Sequence, residues 1–99
     1  MSSAPQKCRI RPMTAADLEA VMAIARSLPH APQWPRSVYQ TALDPESQPQ
    51  RIALLAQDAA YTVAGFVVAS FFTPDAELET IAVAAKFQRR GIASQLFQA

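Results

Sequence analysis

The stretch Gln88-Arg89-Arg90-Gly91-Ile92-Ala93 decides the fold, because it joins two segments of different character. Residues 77–83 alternate before it and are rich in residues that suit a β-strand. Residues 92–99 after it are mostly good helix formers. A short basic turn with one glycine between a strand and a helix presents free backbone N–H groups at the positive end of the helix dipole. The sequence therefore predicts an anion site, and phosphate or pyrophosphate suits it.

Length and composition bound the class of protein. The chain has 99 residues, of which 51% are hydrophobic and 17% charged, so we expect at most one globular domain. Its formal net charge of +1 is far from the strongly basic balance of nucleic-acid-binding proteins, and no nucleic-acid partner is predicted. The longest apolar run, residues 63–72, is too short to span a membrane. Residues 1–7 lack the apolar segment of a signal peptide, so we expect a cytoplasmic protein without a membrane partner.

The chain contains one cysteine, Cys8, on the first predicted strand. A single cysteine cannot form an intrachain disulfide, and Cys8 has no neighbours with the spacing of a zinc site. We therefore expect a buried thiol and no metal.

Two helices are predicted in the first half of the chain. Residues 7–11 read as a short strand that Pro12 stops, and Thr14 with Asp17 resembles a capping box. Residues 15–28 then place apolar side chains at helical spacing, which predicts one buried face. Pro35 suits the first position of a second helix that runs to about Leu43.

Three strands are predicted in the second half, over residues 52–56, 61–72 and 77–83. Gly65 inside the long middle strand predicts a bulge or a close backbone approach. Consecutive strands joined by short turns favour antiparallel pairing, and the two helices must pack their apolar faces on the sheet. The fold class predicted from the pattern is α+β.

Residues 77–97 resemble the acetyl-coenzyme A signature of the GNAT family of N-acetyltransferases. In that signature a strand with an apolar end leads into Gln/Arg-x-x-Gly-x-Gly/Ala and a helix. Here Gln88, Gly91 and Ala93 stand at the defining positions, and Val83 stands at the strand end. Residues 9–17 are similar to the segment that leads into the first GNAT helix, and the element order also fits. The resemblance implies a partial GNAT fold, in which residues 1–99 form the N-terminal part of a single GNAT domain without its C-terminal strands.

The resemblance also implies acetyl-CoA as the acetyl donor. The main-chain amides that would bind its pyrophosphate belong to Gln88, Arg89, Arg90, Gly91, Ile92 and Ala93. The strand backbone at Ile81, Ala82 and Val83 would pair with the pantetheine arm, and a strand amide would polarise the thioester carbonyl. An amine would then attack the acetyl group directly.

The attacking amine must first lose a proton, because a lysine amine titrates near pH ~10 and a chain α-amine near pH ~8. A carboxylate can accept that proton, directly or through one water. Glu77 lies near the place where several GNAT enzymes carry such a glutamate, and Glu79 follows two residues later on the same side of the strand. We predict Glu77 as the first candidate base and Glu79 as the second. The alternative is that both are solvated charges at a sheet edge.

Within the family, residues 80–83 and 87–93 are most similar to the ribosomal-protein-alanine N-acetyltransferase group, as are residues 33–39. This similarity implies a protein N-terminal α-amine as the acceptor, such as that of a ribosomal protein. Trp34 and Tyr39 would line the entrance for the peptide, unless this aromatic pair belongs to the core.

The resemblance covers the larger, N-terminal part of a GNAT domain, so we expect a C-terminally truncated chain. By itself this chain is expected to turn over acetyl-CoA at background rate and to be poorly soluble. Two other functions stay open. One is a non-catalytic remnant that binds CoA weakly or pairs with another chain through an open strand edge. The other is acetylation of a small-molecule amine.

Overall fold

The computed structural model describes residues 9–29, 31–46, 48, 50–72, 75–84, 88, 92, 95 and 96. Within them lie four β-strands, one 3₁₀ turn and two α-helices. The strands are β1 (Arg9–Pro12), β2 (Gln50–Gln57), β3 (Val63–Phe72) and β4 (Asp75–Val83). The helices are α1 (Leu18–Ser27) and α2 (Arg36–Leu43), and the 3₁₀ turn Ala15–Asp17 precedes α1. Ile92, Gln95 and Leu96 are also helical. In the part of the chain described, no helix is both long and apolar enough to span a membrane.

The four strands form one sheet in the order β1-β2-β3-β4, and every neighbouring pair is antiparallel. The predicted α+β class, with helices packed on a mostly antiparallel sheet, is confirmed. β1 includes Pro12, which the sequence analysis placed after the strand. Proline is tolerated there because β1 is an edge strand of the described sheet, where a missing N–H breaks no ladder between two neighbours.

The two faces of the sheet carry separate apolar clusters. On one face, Leu55, Phe66 and Ala82 pack against side chains of α1. We call this side the helix face. On the opposite face, Val67 and Val83 pack with Ile92 and Leu96, which are four residues apart and so share one side of a helix.

Helix α1 is amphipathic, as predicted. Its sheet-facing side chains Leu18, Val21, Ile24 and Ala25 are all buried. The predicted capping box precedes it: the carboxylate of Asp17 accepts a hydrogen bond from the Thr14 backbone N–H at 2.7 Å. Nη1 and Nη2 of Arg11 on β1 donate to both carboxylate oxygens of Asp17, at 2.8 and 2.7 Å. This network fixes the angle at which the chain leaves β1 for α1.

The turn between β2 and β3 is built around Asp58. Its Oδ1 accepts hydrogen bonds from the backbone N–H groups of Ala60 and Thr62, both at 2.9 Å. Tyr61 has a φ of 63°, a left-handed conformation that a turn requires and a strand excludes. For this reason β3 begins at Val63, not at Tyr61 as the sequence pattern predicted.

Gly65 lies where β3 leaves no room for a side chain against β4. A Cβ atom built on Gly65 would stand 2.6 Å from the carbonyl oxygen of Ala82 and 3.2 Å from Cα of Val83. The register also shifts beside it, because Ala56 pairs with Gly65 whereas Gln57 pairs with Val63. The close approach and the bulge predicted for this glycine are both present.

Candidate active site

A cleft of about 710 Å³ opens between the end of α1 and β4. One wall is the segment after α1, with Ser27, Leu28, Pro29, Ala31 and Pro32. The other wall is formed by residues 78–83 of β4 together with Gln88. Ligand pockets in proteins are mostly ~300–1,000 Å³, so the cleft is large enough for a small-molecule ligand.

The wall formed by the segment after α1 is tied to the helix by Gln33. Its side-chain Nε2 donates to the carbonyl oxygen of Ala25 in the last turn of α1 at 2.7 Å. The same nitrogen donates to the carbonyl oxygen of Ala31 at 3.0 Å. One amide group therefore holds this wall against the end of the helix. Gln33 was not among the residues predicted from the sequence.

The wall formed by β4 presents the backbone of one strand edge to the cleft. Among the described strands, β4 pairs with β3 alone. The N–H of Ala84 donates to the carbonyl oxygen of Ala64 on the β3 side at 2.8 Å. Backbone groups alternate in direction along an antiparallel strand, so those of Ile81 and Val83 point away from β3. They are two of the three residues predicted to pair with the pantetheine arm, and an extended ligand can add to them as a further strand. The prediction was wrong for Ala82, because its backbone groups face β3, where it stands opposite Phe66.

A β-bulge interrupts β4 at Glu79. Val68 pairs with Thr80 but Ala69 pairs with Leu78, so Glu79 has no partner residue on β3. A bulge bends its strand and redirects the side chain of the extra residue. Here the redirected residue is a carboxylate on the wall of the cleft.

The carboxylate of Glu79 forms an ion pair with Arg51 on β2. Nε of Arg51 donates to Oε2 of Glu79 at 2.7 Å, and the two side chains are 20% and 23% exposed. The pair reaches across β3 at Ser70, which stands opposite Arg51 in the register. Ser70 is buried, and its small side chain leaves room for the arginine above it. No signal in the sequence links Arg51 to a glutamate on another strand.

Glu77 stands opposite Ser70 in the β3–β4 register, so it shares the helix face with Arg51 and Ser70. It is exposed and does not line the cleft. Among the residues that the structure describes, its carboxylate has no hydrogen-bond or ion-pair partner. The two predicted base candidates therefore differ. Glu79 lines the cleft and is paired with Arg51. Glu77 does not line the cleft, contributes to a second pocket with Leu54 and Val67, and has no partner among the described residues.

The predicted pyrophosphate turn lies mostly outside the described residues, which include Gln88 and Ile92 but not Arg89, Arg90, Gly91 or Ala93. Nε2 of Gln88 donates to the carbonyl oxygen of Val83 at 3.1 Å. Ile92 is 1% exposed and is anchored in the cluster on the sheet face opposite the helices. Binding of pyrophosphate by this turn stays a prediction.

The two aromatic residues predicted at the acceptor entrance do not line the cleft. Tyr39 is 1% exposed, and its ring packs against Phe66 and Trp34 at centroid distances of 6.1 and 5.2 Å. Burial raises the pKa of the Tyr39 hydroxyl. A ring so enclosed offers no surface to a peptide, so Tyr39 belongs to the core, which was the alternative considered for this pair. Trp34 is half-buried, and its proposed acceptor contact stays a prediction.

This four-stranded antiparallel sheet with two helices matches part of the GNAT acyltransferase fold. The acetyltransferase (GNAT) family model matches residues 18–99. The chain therefore belongs to the GNAT family, as the resemblance implied. Among curated proteins, none matches it by sequence.

Solved structures agree with the family at the level of the fold. The ribosomal-protein-S18-alanine N-acetyltransferase from Escherichia coli is similar with a TM-score of 0.75 and 21% identity, over 93% of this chain and 56% of that one. An aminoglycoside 6'-N-acetyltransferase from Acinetobacter baumannii gives 0.73 and 24%, over 93% and 67%. An N-acetyltransferase from Thermoplasma acidophilum in complex with coenzyme A gives 0.75 and 16%, over 94% and 69%. The chain thus spans little more than half the length of the first of these structures.

Proposed function

We propose that this chain forms the donor-binding edge and part of the acceptor cleft of an N-acetyltransferase that transfers acetyl from acetyl-CoA to an amine. The observation that carries the proposal is the edge of β4 that no described strand covers, where the backbone groups of Ile81 and Val83 face a cleft with mostly neutral walls. An extended amide such as the pantetheine arm satisfies those groups in the way a neighbouring strand would. The activity is proposed for the GNAT domain as a whole, and a cytoplasmic location goes with it.

Gln88 is part of this donor edge. Its side chain already donates to the carbonyl oxygen of Val83, so that oxygen has one partner before any ligand arrives. A carbonyl oxygen has two lone pairs and can accept a second hydrogen bond. The N–H of Val83 and both backbone groups of Ile81 then complete the set offered to the pantetheine amides.

Glu77 and Glu79 are the proposed proton acceptors for the attacking amine, in that order. The carboxylate of Glu77 has no partner in the described part of the chain, so it can accept a proton directly or through a water. Glu79 lines the cleft itself, but Arg51 donates a hydrogen bond to its Oε2. Both carboxylates belong to β4, two residues apart, and only Glu79 lines the cleft, where the bulge lies.

The acceptor that we propose is a protein N-terminal α-amine, such as that of a ribosomal protein. Apart from Glu79, the described residues that line the cleft carry neutral side chains. A peptide with a small first residue suits such walls, because its N-terminal segment carries a single charged group, the α-amine. Trp34, half-buried beside the segment after α1, is the proposed outer contact of the peptide.

Donor binding is tested on the ¹⁵N-labelled chain by titration with acetyl-CoA. We expect the amide signals of Ile81 and Val83 to shift in a saturable manner, because these groups gain hydrogen-bond partners. Adenosine 3',5'-bisphosphate carries the nucleotide end without the pantetheine arm, so it should leave these two signals in place. Equal shifts with both ligands, or none with acetyl-CoA, would contradict donor binding at β4.

The acceptor is tested by mass spectrometry of a peptide panel incubated with acetyl-CoA and the whole GNAT domain, for which the activity is proposed. A peptide that starts with alanine is compared with the same peptide blocked at its α-amine, and with a small amine such as kanamycin. Acetyl incorporation on the free α-amine above all others supports the proposed acceptor. Incorporation on kanamycin alone would instead assign the protein to small-molecule acetylation.

A further inference from the structure

The charges around the cleft set the kind of amine that it can hold. Of the described residues that line it, Glu79 alone is ionisable. Glu77 and Arg51 lie beside it on the helix face of the sheet. These three side chains carry a formal charge of −1 when both glutamates are ionised. One ammonium group neutralises that charge, whereas a second ammonium would have no carboxylate left to pair with.

Arg51 creates this balance. It approaches from β2, crosses the buried Ser70 and donates to Oε2 of Glu79 at 2.7 Å. Both side chains of the pair are about four-fifths buried, so solvent screens their attraction less than on an open surface. Without Arg51, Glu79 in the cleft and Glu77 on the same strand would be two uncompensated carboxylates among the described residues, and together they would attract dications.

We propose that Arg51 is a specificity-determining residue that restricts the acceptor to a single cationic amine on an otherwise uncharged segment. The inference rests on the proposed function, because it assumes that the acceptor amine enters this cleft. Arg51 acts by occupying Glu79, and its own side chain is not among the cleft-lining residues. Peptides that begin with a small neutral residue meet this requirement, and polyamines with several closely spaced ammonium groups do not.

The experiment compares two peptide amides of nearly the same shape. Alanyl-norleucine amide carries the α-ammonium alone, and alanyl-lysine amide carries a second ammonium at the end of its side chain. Dissociation constants of both are measured by calorimetry at one fixed ionic strength. We expect the wild-type chain to prefer the norleucine peptide. In the Arg51→Gln variant the ratio of the two constants should move at least about fivefold towards the lysine peptide, which corresponds to about 1 kcal/mol.

Three further variants make the result specific. Arg36→Gln removes the same charge from an ion pair with Glu19 that lies outside the cleft lining, and it should keep the wild-type ratio. Arg51→Lys retains the positive charge and should also keep that ratio. The double variant Arg51→Gln/Glu79→Gln removes the freed carboxylate, so the ratio should return to the wild-type value. Circular dichroism establishes that each variant is folded.

If Arg51→Gln does not fold, Glu79→Gln alone tests the same relation from the other side. It leaves the cation of Arg51 unpaired, so the lysine peptide should weaken at least about fivefold more than the norleucine peptide. Equal ratios in Arg51→Gln and Arg36→Gln, or a double variant that keeps the new ratio, would overturn the inference while leaving the proposed function intact. Failure of both peptides to bind any variant would overturn both.

Discussion

The junction between β1 and α1 and the cleft beside β4 are both built around an arginine and a carboxylate, but they use the pair differently. At the junction, Asp17 receives hydrogen bonds from two nitrogens of Arg11 and from the backbone and hydroxyl of Thr14. In the cleft, Glu79 receives one hydrogen bond from Arg51. A carboxylate with all its acceptor capacity used stabilises the fold, whereas one with capacity left can respond to a ligand.

Burial follows the same division. The Asp17 side chain is 10% exposed and its pKa is lowered to about 2, first because Arg11 donates hydrogen bonds to it. Glu79 is 23% exposed, on a bulge in a strand whose other edge is open in the described sheet. The junction between β1 and α1 is therefore expected to contribute to the stability of the fold. The cleft beside β4 is expected to contribute to the choice of ligand.

The largest effect is expected from Asp17→Ala. The substitution leaves the guanidinium of Arg11 and the N–H of Thr14 without their shared acceptor, and we expect a loss of about 3 kcal/mol in the free energy of unfolding. Urea denaturation measures it. Glu19→Ala is the matched control, because it breaks an exposed ion pair on the same helix and should cost less than about 0.5 kcal/mol. Equal losses in the two variants would contradict the assignment of stability to the junction.

Acid should lower the contribution of Asp17 to the free energy of unfolding by about 2 kcal/mol. The pKa of Asp17 is about 2 in the folded chain, below the ordinary value of 3.8 that applies to the unfolded chain, so folding favours the ionised form. This contribution is complete above pH ~4 and is lost as the pH falls towards ~2. Denaturation curves of the wild-type chain and of Asp17→Asn, recorded between these limits, should therefore converge at low pH. A constant difference between the two proteins would show that the ionisation of Asp17 is not responsible.

Gly65→Ala is expected to lower the free energy of unfolding by a smaller amount and also to weaken ligand binding in the cleft. The new methyl group meets the backbone of β4 at Ala82, so the strands must separate slightly, at a cost of about 1–2 kcal/mol. Because the displaced backbone belongs to the donor edge, binding of acetyl-CoA should weaken at the same time. Ala64→Gly, on the neighbouring residue, is the control for strand propensity. Unchanged amide signals of Ile81 and Val83 in Gly65→Ala would rule out this coupling.

The sequence predicted the frame well, because short-range signals specify it. The spacing of Leu18, Val21 and Ala25 indicated α1, and the Thr14–Asp17 capping box marked its start. Gly65 indicated a close approach between strands, because only a residue without a side chain fits such a contact. Such features depend on neighbours within a few residues, so a single sequence shows them.

The cleft was predicted only in part, because its geometry depends on long-range pairing. The pattern placed Ile81 and Val83 on the fourth strand, but nothing in it marked a bulge at Glu79. Arg51 is 28 residues away from Glu79 in the chain and meets it only through the strand register. Tyr39 illustrates the converse problem, since a helix pattern does not tell whether an aromatic ring lines a groove or fills a core.

The bulge at Glu79 also divides β4 into two segments, residues 75–78 and residues 80–83, whose sequences can change independently. Beyond it, Asp75 to Leu78 are exposed, whereas Thr80, Ala82 and Val83 are buried against fixed partners. Under the proposed function, we expect variation in residues 75–78 to alter the choice of acceptor and residues 80–83 to retain donor binding. Substitutions in the first segment would then change the acceptor without altering the segment proposed to bind the common acetyl donor.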